Sequence, residues 1–403
     1  MERAPRTRRQ RKATASGHAR RHAFAIAAGL LALAALGVLA LAPKPTLQVP
    51  KIDGAQSGVA LRFAFAFPDD DDPPLERPVG VVAAGDRVYV VDSSAGVVRV
   101  YDDRGVERGV IGAGTLGVPV YAAVDVERGV LYVTDRAKGA LFLFGLEDGA
   151  LVGTLTPSGS EGSTITTAWA PLALCVAETG ALVVSDVLSR HRVLLLEPDG
   201  TIVREIGGVA SAVEATGVAV VLDYPNGVLA VGDEIWVSDS SNKRVLVFGR
   251  DGSFSRVIST SGLARGFDLV PPLAGTTETT LVALVDALGG DIAIIDTAGA
   301  PMGRFGGPGT TAGRLAFPND VSVDAERGRV YVADTGNRRV QAWDLLPAAD
   351  GGAALPGLAA LGNAGPHRWI AAVAGLLAVV MAVGALLPRS PSRGTRGAAV
   401  YSE

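Results

Sequence analysis

Residues 317–344 decide the fold, and they read Phe317-Pro-Asn-Asp-Val-Ser-Val-Asp-Ala-Glu-Arg-Gly-Arg-Val-Tyr-Val-Ala-Asp-Thr-Gly-Asn-Arg-Arg-Val-Gln-Ala-Trp-Asp344. Two short apolar runs rich in β-branched and aromatic residues are separated by a tight turn, and the first run ends at Asp334. Such residues favour a pleated, largely buried surface. A proline opens another apolar run upstream, at Pro318. The segment therefore predicts three consecutive antiparallel strands.

The same pattern recurs along the chain, with the terminal aspartates spaced by 43, 51, 53, 47 and 48 residues. Periods of this length are typical of propellers and solenoids. Most copies also have a fourth short strand after an Asp-Gly or similar turn, so each unit predicts four antiparallel strands. The sequence thus predicts an all-β, six-bladed β-propeller, whose strand-end aspartates are Asp92, Asp135, Asp186, Asp239, Asp286 and Asp334.

The units resemble the NHL repeat family. The run Asp-x-x-Asn-x-Arg-Val occurs twice in register, from Asp334 to Val340 and from Asp239 to Val245, each after an aromatic-Pro-Asn sequence. The first three units are weaker, and the unit that ends at Asp286 lacks both the proline and the Asn-x-Arg. The resemblance covers roughly residues 60–346. It implies a six-bladed propeller, and such propellers commonly serve as interaction or sensor domains.

The motif also predicts local contacts. We expect Asp239 and Asp334 to accept hydrogen bonds from turn N–H groups, and Asn242 and Asn337 to adopt the left-handed conformation that the turn needs. Arg244 and Arg339 would then pair with a carboxylate at a blade edge. Because all six units need the same turn, we interpret these aspartates as structural rather than catalytic.

Closure of the ring is predicted from the two ends of the repeat region. The last unit breaks off after Val340–Leu345, whereas residues 60–67 alternate apolar and small side chains before the first full unit. An unpaired edge strand would invite aggregation. We therefore predict that residues 60–67 supply the outer strand of the sixth blade. Linkers rich in Pro, Gly and Ala, residues 43–59 and 347–366, would flank the propeller.

Two uncharged apolar runs, Ala23–Ala42 and Trp369–Leu387, lie outside those linkers, and each is long enough to span a bilayer as a helix. The sequence predicts transmembrane helices at 23–42 and 367–388. The tails at 1–22 and 389–403 are rich in arginine, so the positive-inside rule places both in the cytoplasm and the propeller outside. The first run could instead be a signal peptide cleaved after Ala40-Leu41-Ala42, but its length and the following Pro43 favour an uncleaved anchor.

Charge and composition exclude several classes of function. Of the chain's 37 basic and 41 acidic residues, 25 and 39 fall between residues 43 and 366, a net charge of about −14 that would repel nucleic acid. A single cysteine, Cys175, excludes a disulfide scaffold and multi-cysteine metal sites. No nucleophile elbow or phosphate-binding loop is present in the sequence.

Candidate site residues lie at the start of the innermost strand of each unit, where propellers carry functional groups. Asn226, Asp268, Asn319 and Asp320 could gather on one side of the tunnel, where they would offer hard oxygen ligands for Ca²⁺. Six-bladed lactonases and esterases of related type use calcium in this way. We favour the competing interpretation, a polar tunnel mouth filled by water, because three of the six equivalent positions are apolar.

Two functions from different classes therefore remain open. The first, which we favour, is a non-catalytic module or scaffold at the outer surface of the membrane that binds a protein, a peptide or another ligand through one propeller face. This function requires no cofactor. Its expected partner is a membrane or extracytoplasmic protein. The second is a membrane-anchored, calcium-dependent hydrolase with its site at the tunnel mouth. The sequence leaves the ligand, the partner and the oligomeric state undetermined.

Overall fold

The computed structural model describes residues 59–69, 72–159, 168–188, 191–207, 220–260, 262–272 and 280–347. These residues form six four-stranded antiparallel sheets, so the predicted all-β fold with six blades is confirmed. The predicted tails, the two predicted transmembrane helices and nearly all of the two linkers lie outside the described residues. Within the described ranges, no helix has the length and apolar character needed to cross a membrane.

Blades 1 to 5 each consist of four strands that follow one another along the chain, from the innermost to the outermost. Blade 1 contains β2 (Pro78–Ala84), β3 (Arg87–Asp92), β4 (Val97–Asp102) and β5 (Glu107–Ile111), and blade 2 contains β6 (Pro119–Asp125), β7 (Val130–Asp135), β8 (Ala140–Gly145) and β9 (Leu151–Leu155). Blade 3 contains β10 (Pro171–Val176), β11 (Leu182–Asp186), β12 (Arg192–Leu196) and β13 (Ile202–Gly207), and blade 4 contains β14 (Pro225–Val231), β15 (Glu234–Asp239), β16 (Arg244–Gly249) and β17 (Phe254–Ser259). Blade 5 contains β18 (Ala264–Val270), β19 (Leu281–Asp286), β20 (Asp291–Asp296) and β21 (Pro301–Gly306).

Blade 6 is built from both ends of the repeat region. Its inner strands are β22 (Pro318–Asp324), β23 (Arg329–Asp334) and β24 (Arg339–Pro347), and its outermost strand is β1 (Val59–Phe67). Strand β1 runs antiparallel to β24, with Phe63 opposite Trp343. The predicted closure is therefore confirmed, and it removes the free sheet edge that the last unit would otherwise expose.

The innermost strands β2, β6, β10, β14, β18 and β22 contact one another in sequence and form a ring around the central tunnel. Outside this ring, apolar side chains of the second and third strands fill the space between adjacent blades. Trp236, Val245 and Val282, for example, belong to one buried cluster that joins blades 4 and 5. Burying a side chain of this size stabilises the fold by about 1.5–3 kcal/mol relative to leaving it exposed.

The turns of the two best repeats differ from expectation in one respect. Short 3-10 helices occupy Ser240–Asn242 and Thr335–Asn337, and the left-handed residue is the one that follows each asparagine, Lys243 and Arg338. The prediction that Asn242 and Asn337 adopt this conformation was therefore wrong. Each asparagine instead donates its side-chain amide to the strand-end aspartate, at 2.9 Å for Asp239 and 2.7 Å for Asp334.

Ring closure depends on Phe67, which is 1% exposed at the end of β1. Its ring centroid lies 4.7 Å from that of Tyr101 in blade 1 and 6.3 Å from that of Tyr331 in blade 6. One side chain therefore joins the first blade to the last through the closing strand.

We expect Phe67→Ala to lower the free energy of unfolding by about 3–5 kcal/mol, because it leaves a cavity where blades 1 and 6 meet. The matched control is Phe65→Ala in the same strand, whose half-buried ring faces the guanidinium of Arg329. This control should cost less than about 2 kcal/mol. Denaturant unfolding of the full chain measures both, and equal losses would contradict the role given to Phe67.

Candidate functional site: the two ends of the tunnel

A buried aspartate at the end of the second strand fixes the start of the innermost strand in every blade. These six carboxylates are 0–4% exposed, and each accepts a hydrogen bond from a backbone N–H one or two residues before the innermost strand. The donors are Glu76 and Arg77 for Asp92, Gly117 and Val118 for Asp135, Ala170 for Asp186, Asp223 for Asp239, Leu263 for Asp286, and Ala316 for Asp334.

These contacts agree with the structural interpretation of the aspartates and refine the motif prediction. The prediction that Asp239 and Asp334 accept hydrogen bonds from their turn N–H groups was wrong. Neither carboxylate accepts a backbone N–H of its 3-10 turn, and the Oδ1 atom of each binds the segment before the innermost strand. The expected arginine partners are confirmed: Arg244 donates to Asp239 at 2.7 Å, and Arg339 donates to Asp334 at 3.0 Å. The motif thus anchors the loops at one end of the tunnel.

A register shift follows at the start of each innermost strand, between Pro318 and Asp320 in blade 6 and at the equivalent points elsewhere. Such bulges re-aim the side chains of the inserted residues. The residue directly after the opening position therefore faces a cavity at the strand starts, which we call the upper cavity. The six residues are Val79, Val120, Leu172, Asn226, Arg265 and Asn319.

The upper cavity has a volume of about 290 Å³ and is lined by arginine, amide, hydroxyl and apolar side chains. Arg265 comes from the inner ring, whereas Arg77 precedes β2 and Arg136 follows β7. No carboxylate belongs to the described lining of this cavity. The upper end of the tunnel is therefore positively charged, although residues 43–366 as a whole are acidic.

A small hydrogen-bond network holds the polar groups of the upper cavity in place. The Arg265 guanidinium donates to Oδ1 of Asn319 at 2.5 Å, and Nδ2 of Asn319 donates to the Val79 carbonyl at 2.6 Å. The hydroxyl of Tyr121 donates to the Asn319 carbonyl at 3.2 Å, which joins blade 2 to blade 6 across the tunnel. Burial raises the pKa of Tyr121, so its hydroxyl stays protonated.

Two aromatic residues at this end have backbone conformations that are rare for L-residues. Tyr224 and Phe317 directly precede the opening prolines of β14 and β22, with φ of 52° and 47°. They are 46% and 62% exposed, and Tyr224 lines the upper cavity. The Tyr224 ring also packs on His191, whose Nδ1 accepts the Tyr224 N–H at 3.1 Å. Strained, exposed residues of this kind cluster at binding sites.

The other end of the tunnel holds a second cavity of about 230 Å³, which we call the lower cavity. Tyr121 lines both cavities and thus stands between them. The charged residues in the described lining of the lower cavity are Glu178, Asp268 and Asp320, all acidic. The ionisable side chains at the two ends of the tunnel are therefore of opposite type, basic in the upper cavity and acidic in the lower one.

Asp268 and Asp320 join neighbouring blades through backbone contacts. Oδ2 of Asp268 accepts the N–H of Val323 at 2.7 Å, which joins blade 5 to blade 6. Oδ2 of Asp320 accepts the N–H of Val81 at 2.9 Å, which joins blade 6 to blade 1. The absence of a side chain at Gly266 makes room for this arrangement, because a Cβ there would lie 2.0 Å from Oδ1 of Asp320.

Burial raises the pKa of both carboxyl groups. The pKa of Asp268 rises to about 6, against the opposing effect of the Val323 and Leu269 N–H groups and the Ser322 hydroxyl. The pKa of Asp320 also rises, with the N–H groups of Val81 and Val321 opposing the shift and the nearby Asp268 charge adding to it. Each residue is a blade-to-blade contact whose strength depends on pH.

The four residues singled out from the sequence therefore lie in different places. Asn226 and Asn319 line the upper cavity, whereas Asp268 and Asp320 line the lower one. Their carboxylate and amide oxygens do not share a cavity, and a guanidinium already binds the Asn319 oxygen. Within the described residues, no group of three or more His, Cys, Asp or Glu side chains is arranged to hold a metal ion. This geometry does not fit a calcium ion shared by the four.

The prediction that Asp268 lies at the start of the innermost strand of the fifth unit was wrong. Pairing of Ala264 with Asp286 shows that Ala264 takes the place of the opening proline, so the equivalent position is Arg265, and Phe267 and Asp268 lie further along β18. The connection between β18 and β19 is longer than the two-residue turn at Gly85–Asp86, which joins the equivalent strands of blade 1. This difference obscured the pairing register of β18 with β19 in the sequence. Sequence reasoning also missed Arg77 and Arg136, because they belong to no repeat motif, although each directly adjoins one: Pro78 follows Arg77, and Asp135 precedes Arg136.

The pH dependence of stability tests the environment of Asp268. An unfolded aspartate titrates near pH 3.9 and the folded one near 6, so the stability that the protonated form contributes is lost as pH rises through 6. We expect Asp268→Asn to gain about 2 kcal/mol relative to wild type between pH 4.5 and pH 7.5. Denaturant unfolding at both values measures this gain, with the exposed Asp86→Asn as control; a difference independent of pH would contradict it.

Comparisons with known proteins agree with this architecture. Residues 315–343 match the NHL repeat family. No curated protein matches the chain. Among solved structures, a gluconolactonase from Xanthomonas campestris is 16% identical with a TM-score of 0.52, and the match covers 73% of this chain and 92% of that one. An auxiliary nutrient binding protein from Bacteroides thetaiotaomicron is 11% identical with a TM-score of 0.53, covering 72% and 77%. At these identities the likeness shows a shared fold: the chain is a six-bladed propeller that contains an NHL repeat.

Proposed function

We propose that this chain is a membrane-anchored propeller that lies outside the cytoplasm and binds a ligand without transforming it, with the upper cavity as the binding site. The observation that supports this most directly is the composition of that cavity. Its polar side chains are arginines, amides and hydroxyls, which bind and orient a ligand, and its described lining contains neither a carboxylate nor a histidine to act as a general base.

The fixed positions of the polar side chains and loops at the upper cavity also favour a binding function. Arg265, Asn319 and Tyr121 fix one another by hydrogen bonds, and six strand-end carboxylates anchor the loops around them. A site that is already ordered loses little conformational freedom when a ligand arrives. A membrane or extracytoplasmic protein that supplies or receives the ligand is the kind of partner we propose for the surrounding face.

A calcium-dependent hydrolase is the alternative. Two buried carboxyl groups with raised pKa in one cavity are candidates for a catalytic site. Their hydrogen bonds argue against that role, because Asp268 and Asp320 already accept N–H groups that join one blade to the next. We therefore favour the binding function.

The proposed placement rests on the apolar runs at 23–42 and 367–388 and on the arginines beside them. It predicts a definite labelling pattern. In a Cys175→Ala background, we expect a membrane-impermeant maleimide to label Val126→Cys in intact cells, because Val126 is 74% exposed. Ser16→Cys and Ser392→Cys, one in each tail, should be labelled only after the cells are permeabilised.

Labelling of either tail in intact cells, or protection of Val126→Cys, would contradict the proposed topology. The mass of the purified chain provides a second readout. An intact N-terminus supports an uncleaved anchor, whereas a mature chain that begins at Pro43 would show that the first run is a signal peptide.

A further inference from the structure

We propose that the upper cavity binds a small organic anion, whose carboxylate or phosphate group is held by Arg265, Arg77 and Arg136 and whose apolar part lies against Tyr224. This inference rests on the proposed binding function and names the chemical class of the ligand. It comes from the charge, pairing, size and aromatic edge of the cavity.

The cavity concentrates positive charge in an acidic protein. Its three arginines come from separate segments of blades 1, 2 and 5, and the described lining contains no Asp or Glu. The segment from residue 43 to 366 carries a net charge of about −14. A concave site with one sign of charge focuses the field and raises the local concentration of ions of the opposite sign. The upper cavity therefore selects anions against the charge of the surrounding surface.

The pairing of the arginines in the upper cavity differs from that of the motif arginines. Structural arginines such as Arg99, Arg244 and Arg339 each pair with the strand-end aspartate of their own blade. Arg265 instead binds the neutral amide of Asn319. Among the described residues, no ion pair involves Arg265, Arg77 or Arg136. Their positive charge is therefore left for a ligand.

The chemistry of the guanidinium fits an oxyanion. It presents five N–H donors in a rigid plane, and it binds carboxylate and phosphate groups through two parallel hydrogen bonds. One N–H group of Arg265 donates to Asn319, which fixes the orientation of the plane. Arg265 is half-buried, so an anion there would be screened less by water and salt than on an open surface.

The volume of the cavity and the aromatic ring at its edge indicate the size of the ligand and the nature of the part that carries no charge. A volume of about 290 Å³ lies at the small end of the range for ligand pockets, so a small molecule fits and a folded polymer does not. The exposed ring of Tyr224 lies at the edge and is fixed by its contact with His191. An aromatic or aliphatic body attached to the anionic group would cover this ring.

The test measures equilibrium binding to the full chain in nanodiscs of neutral lipid, with four probes of similar shape: benzoate, phenyl phosphate, benzyl alcohol and benzylammonium. We expect one or both anions to bind and the neutral and cationic probes to bind at least tenfold more weakly. The comparison of benzoate with phenyl phosphate identifies whether the site prefers a carboxylate or a phosphate. Increasing the salt concentration from 50 to 500 mM should weaken anion binding.

Variants assign the binding to the cavity. Arg265→Gln should weaken anion binding at least tenfold, and Arg265→Lys should recover part of the loss. Arg136→Gln should weaken it severalfold with no change in unfolding midpoint, because the exposed Arg136 side chain makes no hydrogen bond or ion pair among the described residues. The control is Arg104→Gln, an exposed arginine in the turn between β4 and β5, which should bind anions as wild type does.

Three results separate failure of this inference from failure of the proposed function. Anion binding that is absent, or that survives both Arg265→Gln and Arg136→Gln, overturns the anion site. If benzyl alcohol or benzylammonium binds instead and Tyr224→Ala abolishes this binding, the anion site is wrong while the cavity remains a binding site. Release of phenol from phenyl phosphate at a rate that Arg265→Gln lowers overturns the non-catalytic function and supports anion recognition.

Discussion

The structure depends on one contact repeated six times, the hydrogen bond from a backbone N–H before the innermost strand to a buried carboxylate at the end of the second strand. Removing either partner would leave a buried polar group unsatisfied, which costs about 1–3 kcal/mol and more for a charged group. The contact joins two segments that are distant within each blade and fixes where the innermost strand begins. In blade 1 it places Arg77 beside the tunnel, because Asp92 binds the Arg77 N–H at 2.7 Å.

From this fixed start, the bulge of each innermost strand divides the tunnel into two environments. The first position after the opening residue faces the upper cavity, and the next positions face the lower one. Arg265 and Asp268 thus lie three residues apart on β18 and line opposite ends of the tunnel. A fold that repeats one backbone pattern six times can therefore place basic side chains at one end of the tunnel and acidic ones at the other, through a few substitutions in the inner ring.

Much of the fold is predictable from the sequence, since the strand-end aspartates recur with the period of a blade and the strand at residues 60–67 has no other partner. The site is less predictable. The amides of Asn226 and Asn319 lie beside opening prolines, so their place at the tunnel follows from the motif. Arg265 does not, because the fifth unit has alanine in place of proline and a long connection before β19. Arg77 and Arg136 become part of the site only when loops from different blades converge.

Amide hydrogen exchange of an Asp92→Ala variant tests the central contact most directly. We expect the amides of Glu76 and Arg77 to exchange at least tenfold faster than in wild type, while β7 and β8 of the neighbouring blade keep their protection. Unchanged exchange at Glu76 and Arg77 in a folded Asp92→Ala chain would show that the carboxylate does not hold this segment, and would contradict the account.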